Sequence, residues 1–178
     1  MTPILQILYF FIPAYMANMT PVFVKKINFL NYPVDFGKEW DKKRILGSHK
    51  TWRGFFFGTL FGLIAFEIQR ALYNEGIGKS LALINYSAAP IFLGALIAFS
   101  ALLGDSIKSF FKRQLNIRPG RPWVPFDQLD FLSVSMVITA PWSDISLRDA
   151  LIVLAIVLVL TMMVQYAGYK LKMKDDVL

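Results

Sequence analysis

Residues 104–131, GDSIKSFFKRQLNIRPGRPWVPFDQLDF, hold three carboxylates and five Lys or Arg between two apolar segments. Asp105, Lys108, Ser109 and Lys112 stand at i, i+3, i+4 and i+7, so on a helix their side chains share one face. Asp127 and Asp130, at i and i+3, share a face of the next helix in the same way. An unpaired Asp105 in lipid would cost about 3 kcal/mol or more, so it should face the protein interior and meet a cationic or metal partner. Acids and bases gathered at one place suit phosphate chemistry. Mg²⁺ takes one or two carboxylates and completes its shell with water and phosphate oxygens, while Lys and Arg hold the remaining phosphates. Simple pairing with basic neighbours would explain one such acid, but explains three on two helices flanking RPGRPW less well.

A second charged stretch, DFGKEWDKKRILGSHKTWRG, ends where a helix should begin. Free N–H groups at that helix start, with Lys50, Thr51 and Arg53 around them, make a ready anion site. It is not a P-loop, because His49 and Arg44 occupy the positions where that motif needs glycine. His49 is the one histidine and there is no cysteine, so a thiol nucleophile, a thiolate metal site and a disulfide are excluded. A phosphate nucleophile, largely dianionic at neutral pH, would need no base from His49.

The elements that must carry these residues follow from composition. The chain has 178 residues, 56% of them hydrophobic and 17% charged, with a mean hydropathy of +0.49. This is the composition of an integral membrane protein. Apolar runs long enough for a hydrocarbon core of about 30 Å fall near 3–24, 54–73, 88–110, 126–143 and 147–169. The fourth is short of apolar residues and must take in FDQLD and PWSD, which puts Asp127 and Asp130 at the membrane mouth. The fold expected is all-α, one bundle of five transmembrane helices over residues 1–178 with no second domain. Gly54, Gly58 and Gly62, four residues apart, read as a small-residue packing stripe. Ser146 and Asp149 read as a capping box opening the fifth span, and Glu67 as a partner for Arg70.

Orientation follows from the loops. Residues 25–53 carry eight Lys or Arg, 108–125 five and the tail after 169 three, against two in 70–87 and one in 141–148. Positive loops stay inside, which puts the N-terminus outside and both charged loops and the C-terminus in the cytoplasm. The formal net charge of +7 is thereby concentrated on the face that meets anionic lipid. The expected location is the cell membrane, multi-pass, with the site facing the cytoplasm.

PAYMANMTP, GSHKTWRG, GDSIKSFFKR and RPGRPWVPFDQLDF together resemble the CDP-archaeol synthases, relatives of the phosphatidate cytidylyltransferases. The wider signature of those relatives joins Gly-Asp, Ser, Lys-Arg, Pro-Gly and Asp-x-x-Asp, which fall here on Gly104-Asp105, Ser109, Lys112-Arg113, Pro119-Gly120 and Asp127/Asp130. That signature also has a Lys-Asp before the Pro-Gly and a His-Gly-Gly after it, where this chain has QLNIR and RPW, so an ether lipid is favoured over phosphatidate. The resemblance implies transfer of CMP from CTP to a digeranylgeranylglyceryl phosphate, with Mg²⁺ and release of pyrophosphate. It implies Asp105, Asp127 and Asp130 as metal ligands and catalytic groups, with Lys112. Lys50, Thr51, Arg53, Lys108, Ser109 and Arg113 would contact CTP or lipid phosphate, and Gly47, Gly54, Pro119 and Gly120 would shape backbone near phosphate. A groove open sideways to lipid, lined by the third to fifth spans, is expected for the tails. The partners expected are CTP, an unsaturated archaeal ether-lipid phosphate and membrane lipids, with no nucleic acid. A phosphatidate enzyme, an anion transporter and a lipid anchor are the competing readings. A transporter would carry polar residues through the midplane, whereas here they gather at one face.

Overall fold

The computed structural model describes residues 3–118, 121 and 123–170. Within them the elements run α1 Pro3–Phe10, α2 Ile12–Phe23, β1 Glu39–Trp40, β2 Lys43–Arg44, α3 Trp52–Asn74, α4 Phe92–Gln114, α5 Phe126–Thr139 and α6 Leu147–Lys170. α3, α4 and the Leu147–Val164 part of α6 are long and apolar enough to cross a membrane, and the first two helices, bent by 41°, would make a fourth span.

The predicted first span is therefore broken. Pro13 has no N–H to give the Tyr9 carbonyl four residues back, so the helix restarts at Ile12. The Gln69 side chain on α3 donates to that carbonyl at 2.6 Å, replacing the lost bond and tying the break to its neighbour.

The fourth predicted span is also shorter than expected. α5 has 14 residues, about 21 Å of helix against a core of about 30 Å. PWSD does not extend it, because Pro141 falls in a tight turn over Ala140–Trp142. α4, by contrast, runs four residues past its predicted end and takes Lys112 and Arg113 into its last turn. Cations there oppose the negative end of the helix dipole, and Asn116 beyond it adopts the left-handed conformation (φ 58°) of a helix stop. α6 opens as predicted: Ser146 Oγ accepts from the Asp149 N–H at 3.1 Å and donates to its carboxylate at 2.7 Å.

Glycines set how closely α3 approaches α2 and α4. A Cβ on Gly62 would stand 2.2 Å from Ala98 Cβ and 2.9 Å from the Pro13 carbonyl oxygen, and one on Gly58 would stand 2.9 Å from Leu102. The stripe is a packing device there, whereas at Gly54 a Cβ would make ordinary contacts with Pro21, at 3.4 Å, and Thr51 Oγ1, at 3.6 Å. Phe10, Ala14, Phe66, Leu93, Ile97, Leu132 and Val153 belong to a buried core that all six α-helices share. At the other end of α3, Arg70 pairs with Glu67 at 3.2 Å, as the spacing predicts.

Candidate active site

One ammonium group organises the site. Lys108 Nζ lies 3.1 Å from Asp105 Oδ1, 3.2 Å from Asp127 Oδ1 and 2.8 Å from Asp130 Oδ2. The helical spacing i, i+3 delivers Asp105 and Lys108 together on α4, and the same spacing delivers Asp127 and Asp130 on α5. Gly104 lets the two helices meet: a Cβ there would lie 2.4 Å from the Asp130 carbonyl oxygen and 3.0 Å from Val134 Cβ. Gly104 is thus what seats Asp130 against Lys108, a role that its place in a Gly-Asp pair does not by itself reveal.

A second layer of cations surrounds the cluster. Lys50, from the long loop before α3, pairs with Asp105 Oδ2. Lys112, one turn beyond Lys108, binds both oxygens of Asp127, at 3.1 and 2.9 Å, and donates to the Arg121 carbonyl at 2.5 Å. The Trp123 N–H completes the Asp127 shell at 2.6 Å. Asp130 differs. Its Oδ2 is close enough to Lys108 for an ion pair but lacks a hydrogen bond of good direction, which leaves a buried carboxylate oxygen held by charge.

The remaining predicted residues fall into place less uniformly. Thr51 caps α3, its hydroxyl accepting the Gly54 N–H at 3.3 Å. The Trp52 and Arg53 N–H groups donate to the carbonyls of Tyr32, at 2.9 Å, and Leu30, at 2.8 Å. The free N–H groups expected at this helix start are therefore already used. Arg53 itself is buried with its guanidinium on the Ile27 carbonyl, away from the carboxylates. Gly47 has open space where a side chain would be. Among the described residues, Ser109 and Arg113 make none of the site's hydrogen bonds or ion pairs, although both lie on the site end of α4. Pro119 and Gly120 lie outside the described residues.

Two cavities flank the cluster. The more polar of the two, about 220 Å³, sets Asn18, His49, Lys50, Thr51, Asp105 and Ser106 beside the apolar walls of Pro21, Val22, Phe55 and Leu102. An apolar groove of about 550 Å³ runs between α4 and α5 past Ile107, Phe111, Phe126, Leu129 and Val134, and it carries Lys108 and Asp130 at its polar edge. Of the three spans expected to line a lateral groove, only the third and fourth, α4 and α5, line this one; among the described residues α6 contributes none to it. The Lys108–Asp105 pair is the boundary between the two spaces.

The set fits a hard cation in part. Its donors are carboxylate oxygens, and Asp130 Oδ2 lacks a directed donor. A single cage of three carboxylates is not what the structure brings together, however: among the described residues no three Asp, Glu, His or Cys side chains are spaced to share a metal ion. Lys108 stands at the centre instead.

Long apolar helices thus carry a half-buried acid–base cluster set between a cavity with polar walls and an apolar groove. Comparison with known proteins is specific. A family model described as "CarS-like: CDP-archaeol synthase" matches residues 1–178. The CDP-archaeol synthase of Pyrococcus furiosus is 37% identical over 176 residues, covering 98% of each chain. That of Methanococcus aeolicus is 33% identical, covering 93% of this chain and 92% of the other. A solved structure described as "Structural insight into an intramembrane enzyme for archaeal membrane lipids biosynthesis" superposes with a TM-score of 0.68 at 33% identity, covering 88% of this chain and 90% of that one. The chain belongs to the CDP-archaeol synthase family.

Proposed function

We propose that this chain transfers CMP from CTP to the phosphate of an archaeal ether lipid, forming CDP-archaeol and pyrophosphate. The observation that carries this reading is the position of the carboxylate–Lys108 cluster between a polar cavity and an apolar groove. A water-soluble nucleotide and a lipid phosphate can meet at such a boundary without either leaving its own solvent. The polar cavity, with Lys50 and Thr51 on its wall, would take the triphosphate, and the α4–α5 groove would take hydrocarbon.

A lipid phosphate oxygen attacks the α-phosphorus of CTP in line. The new phosphorus–oxygen bond forms as the bond to the β-phosphate oxygen breaks, and pyrophosphate leaves with the electron pair. Lys50 and Lys112 neutralise charge on the phosphates, while Lys108 holds the three carboxylates in one cluster. Arg113 and Ser109, on the same end of α4, come into reach of substrate phosphate rather than of the cluster. Asp105, Asp127 and Asp130 are the residues that would hold Mg²⁺, one or two of them directly. Bound there, Mg²⁺ supplies charge neutralisation for the leaving pyrophosphate. Arg53 serves by fixing the loop that carries Lys50. The bundle spans the membrane five times, α1 with α2 counting as one span and α5 as a short one, as a single domain with the charged loops on the cytoplasmic side.

The test is to purify Asp127→Asn and Asp130→Asn proteins, verify their folding, and measure cytidylyl transfer across a Mg²⁺ titration. Each substitution should lower turnover on the order of 10²-fold or more, the scale of losing one charge-stabilising group. Wild-type turnover in both would refute the assignment of these acids.

A further inference from the structure

The loop that carries Lys50 packs Phe29 on Phe56 and Phe57 of α3 and half-buries Val34, Ile45 and Leu46, but the hairpin between them has little apolar packing. Its hairpin has two residues per strand, and Phe36 and Trp40 are about two-thirds exposed. An isolated hairpin of that size is marginal in water. One side chain ties this hairpin to the rest of the loop. Asp35 is buried, its side chain 1% exposed, and both of its oxygens are occupied. Oδ1 accepts from the Gly37 N–H at 3.0 Å and Arg44 Nη2 at 3.3 Å; Oδ2 accepts from the Leu46 N–H at 2.9 Å and Arg44 Nε at 3.3 Å. These charge-assisted bonds close the excursion from 35 to 46 on itself.

The closure is transmitted directly to the site. Val34, next to Asp35, donates its N–H to the Lys50 carbonyl at 2.8 Å, and the Lys50 N–H donates to the Gly47 carbonyl at 2.9 Å. Lys50 is thereby held from both sides: by Val34, beside the Pro33–Thr51 bridge and next to Asp35, and by the Gly47–Lys50 turn that follows Leu46, whose N–H Asp35 binds. The hairpin also latches onto the end of α4, where Lys43 Nζ donates to the Gln114 carbonyl at 2.7 Å. From this frame the Lys50 side chain reaches Asp105.

We propose that Asp35 is a positioning residue for the transfer reaction: without touching the site, it sets the backbone from which Lys50 reaches Asp105 and the polar cavity. The proposal rests on the reading that Lys50 contacts the triphosphate. A side chain released from such a frame is misplaced by about 1 Å or more, which costs on the order of 10²-fold in efficiency.

The experiment is a double-mutant cycle read by equilibrium binding of labelled CTP to detergent-solubilised protein. Asp35→Asn and Lys50→Met should each weaken CTP binding, and the double variant should bind no more weakly than Lys50→Met alone, because Asp35 acts through Lys50. If Asp35→Asn weakens binding by the same factor in both backgrounds, or leaves wild-type binding unchanged, the proposal is overturned. If Lys50→Met itself binds and turns over like wild type, the reading of Lys50 fails instead, so the two failures are distinct. Should Asp35→Asn not fold, Arg44→Met answers the same question by removing two of the four donors. It should weaken CTP binding in the same direction and lose that effect in the Lys50→Met background, and equal weakening in both backgrounds would overturn the proposal.

Discussion

The contact between α4 and α5 at Gly104 gives the sharpest structural prediction. In Gly104→Ala the new methyl would lie 2.4 Å from the Asp130 carbonyl oxygen, whereas ordinary contact begins near 3.4 Å. The two nearest opposing atoms are backbone of Asp130 and the third, Val134 Cβ, is fixed to its own backbone, so no rotamer change relieves the clash and α5 must retreat by about 1 Å. That retreat carries Asp130 and Asp127 away from Lys108, since both ride on the first turns of α5. Displacement of reacting groups by about 1 Å costs on the order of 10²-fold, so kcat/KM should fall by about that factor. Overpacking of this kind also destabilises by about 1–3 kcal/mol. Gly94→Ala separates the two effects. Its methyl would clash as severely, 2.4 Å from Phe66 Cβ, but ten residues away on the same helix, about 15 Å from Gly104. The assay is steady-state cytidylyl transfer beside thermal unfolding of the purified proteins. Both variants should lose stability while Gly104→Ala alone loses the large factor in kcat/KM. Full activity in a folded Gly104→Ala protein would refute the claim that helix separation sets the site.

Further outcomes follow from other parts of the structure. Ser133 lines the α4–α5 groove, so Ser133→Trp should raise KM for the lipid phosphate several-fold and leave KM for CTP unchanged; equal effects on both would remove the groove from the lipid path. Burial opposes ionisation of Asp35, but bonds from Arg44, Gly37 and Leu46 outweigh it and hold the carboxyl below its ordinary value of 3.8. The stabilisation is therefore present at neutral pH and lost as pH falls through the folded value. The difference in melting temperature between wild type and Asp35→Asn should stay level from about pH 7 to 5 and close below about pH 4, and a gap persisting at lower pH would count against that carboxylate. Lys112→Met removes the partner of both Asp127 oxygens, and should lower turnover more than it lowers thermal stability.

Much of this was legible from residue spacing. The i, i+3 pairs on two helices, with a Pro-Gly-rich connection between them, already require three acids and Lys108 at one membrane face, and the structure brings them within 3.2 Å of one nitrogen. The capping box at Ser146 and the Glu67–Arg70 pair are local and equally readable. What failed to show depends on partners distant in sequence. The start of α3 looks like an anion site until the carbonyls of Leu30 and Tyr32 claim its N–H groups. Arg53 looks like a phosphate ligand until the Ile27 carbonyl takes its guanidinium. Asp35, one acid among many charges in its loop, gives no periodic signal at all; its importance lies in four donors that only the folded turn brings together. The break at Phe11 is legible from Pro13, whereas the end of α5 at Thr139, two residues before Pro141, is masked by an apolar run that continues to Trp142.

The central claim is that nucleotide and lipid phosphate meet at the Asp105–Lys108 boundary. Purified protein incubated with CTP labelled at the α-phosphate, Mg²⁺ and either an unsaturated ether-lipid phosphate or a diacyl phosphate tests it directly. Label should enter a lipid product with stoichiometric pyrophosphate release, faster with the ether lipid, and Asp105→Asn should reduce the rate on the order of 10²-fold or more. No labelled lipid from either substrate, or an undiminished rate in a folded Asp105→Asn protein, would contradict it.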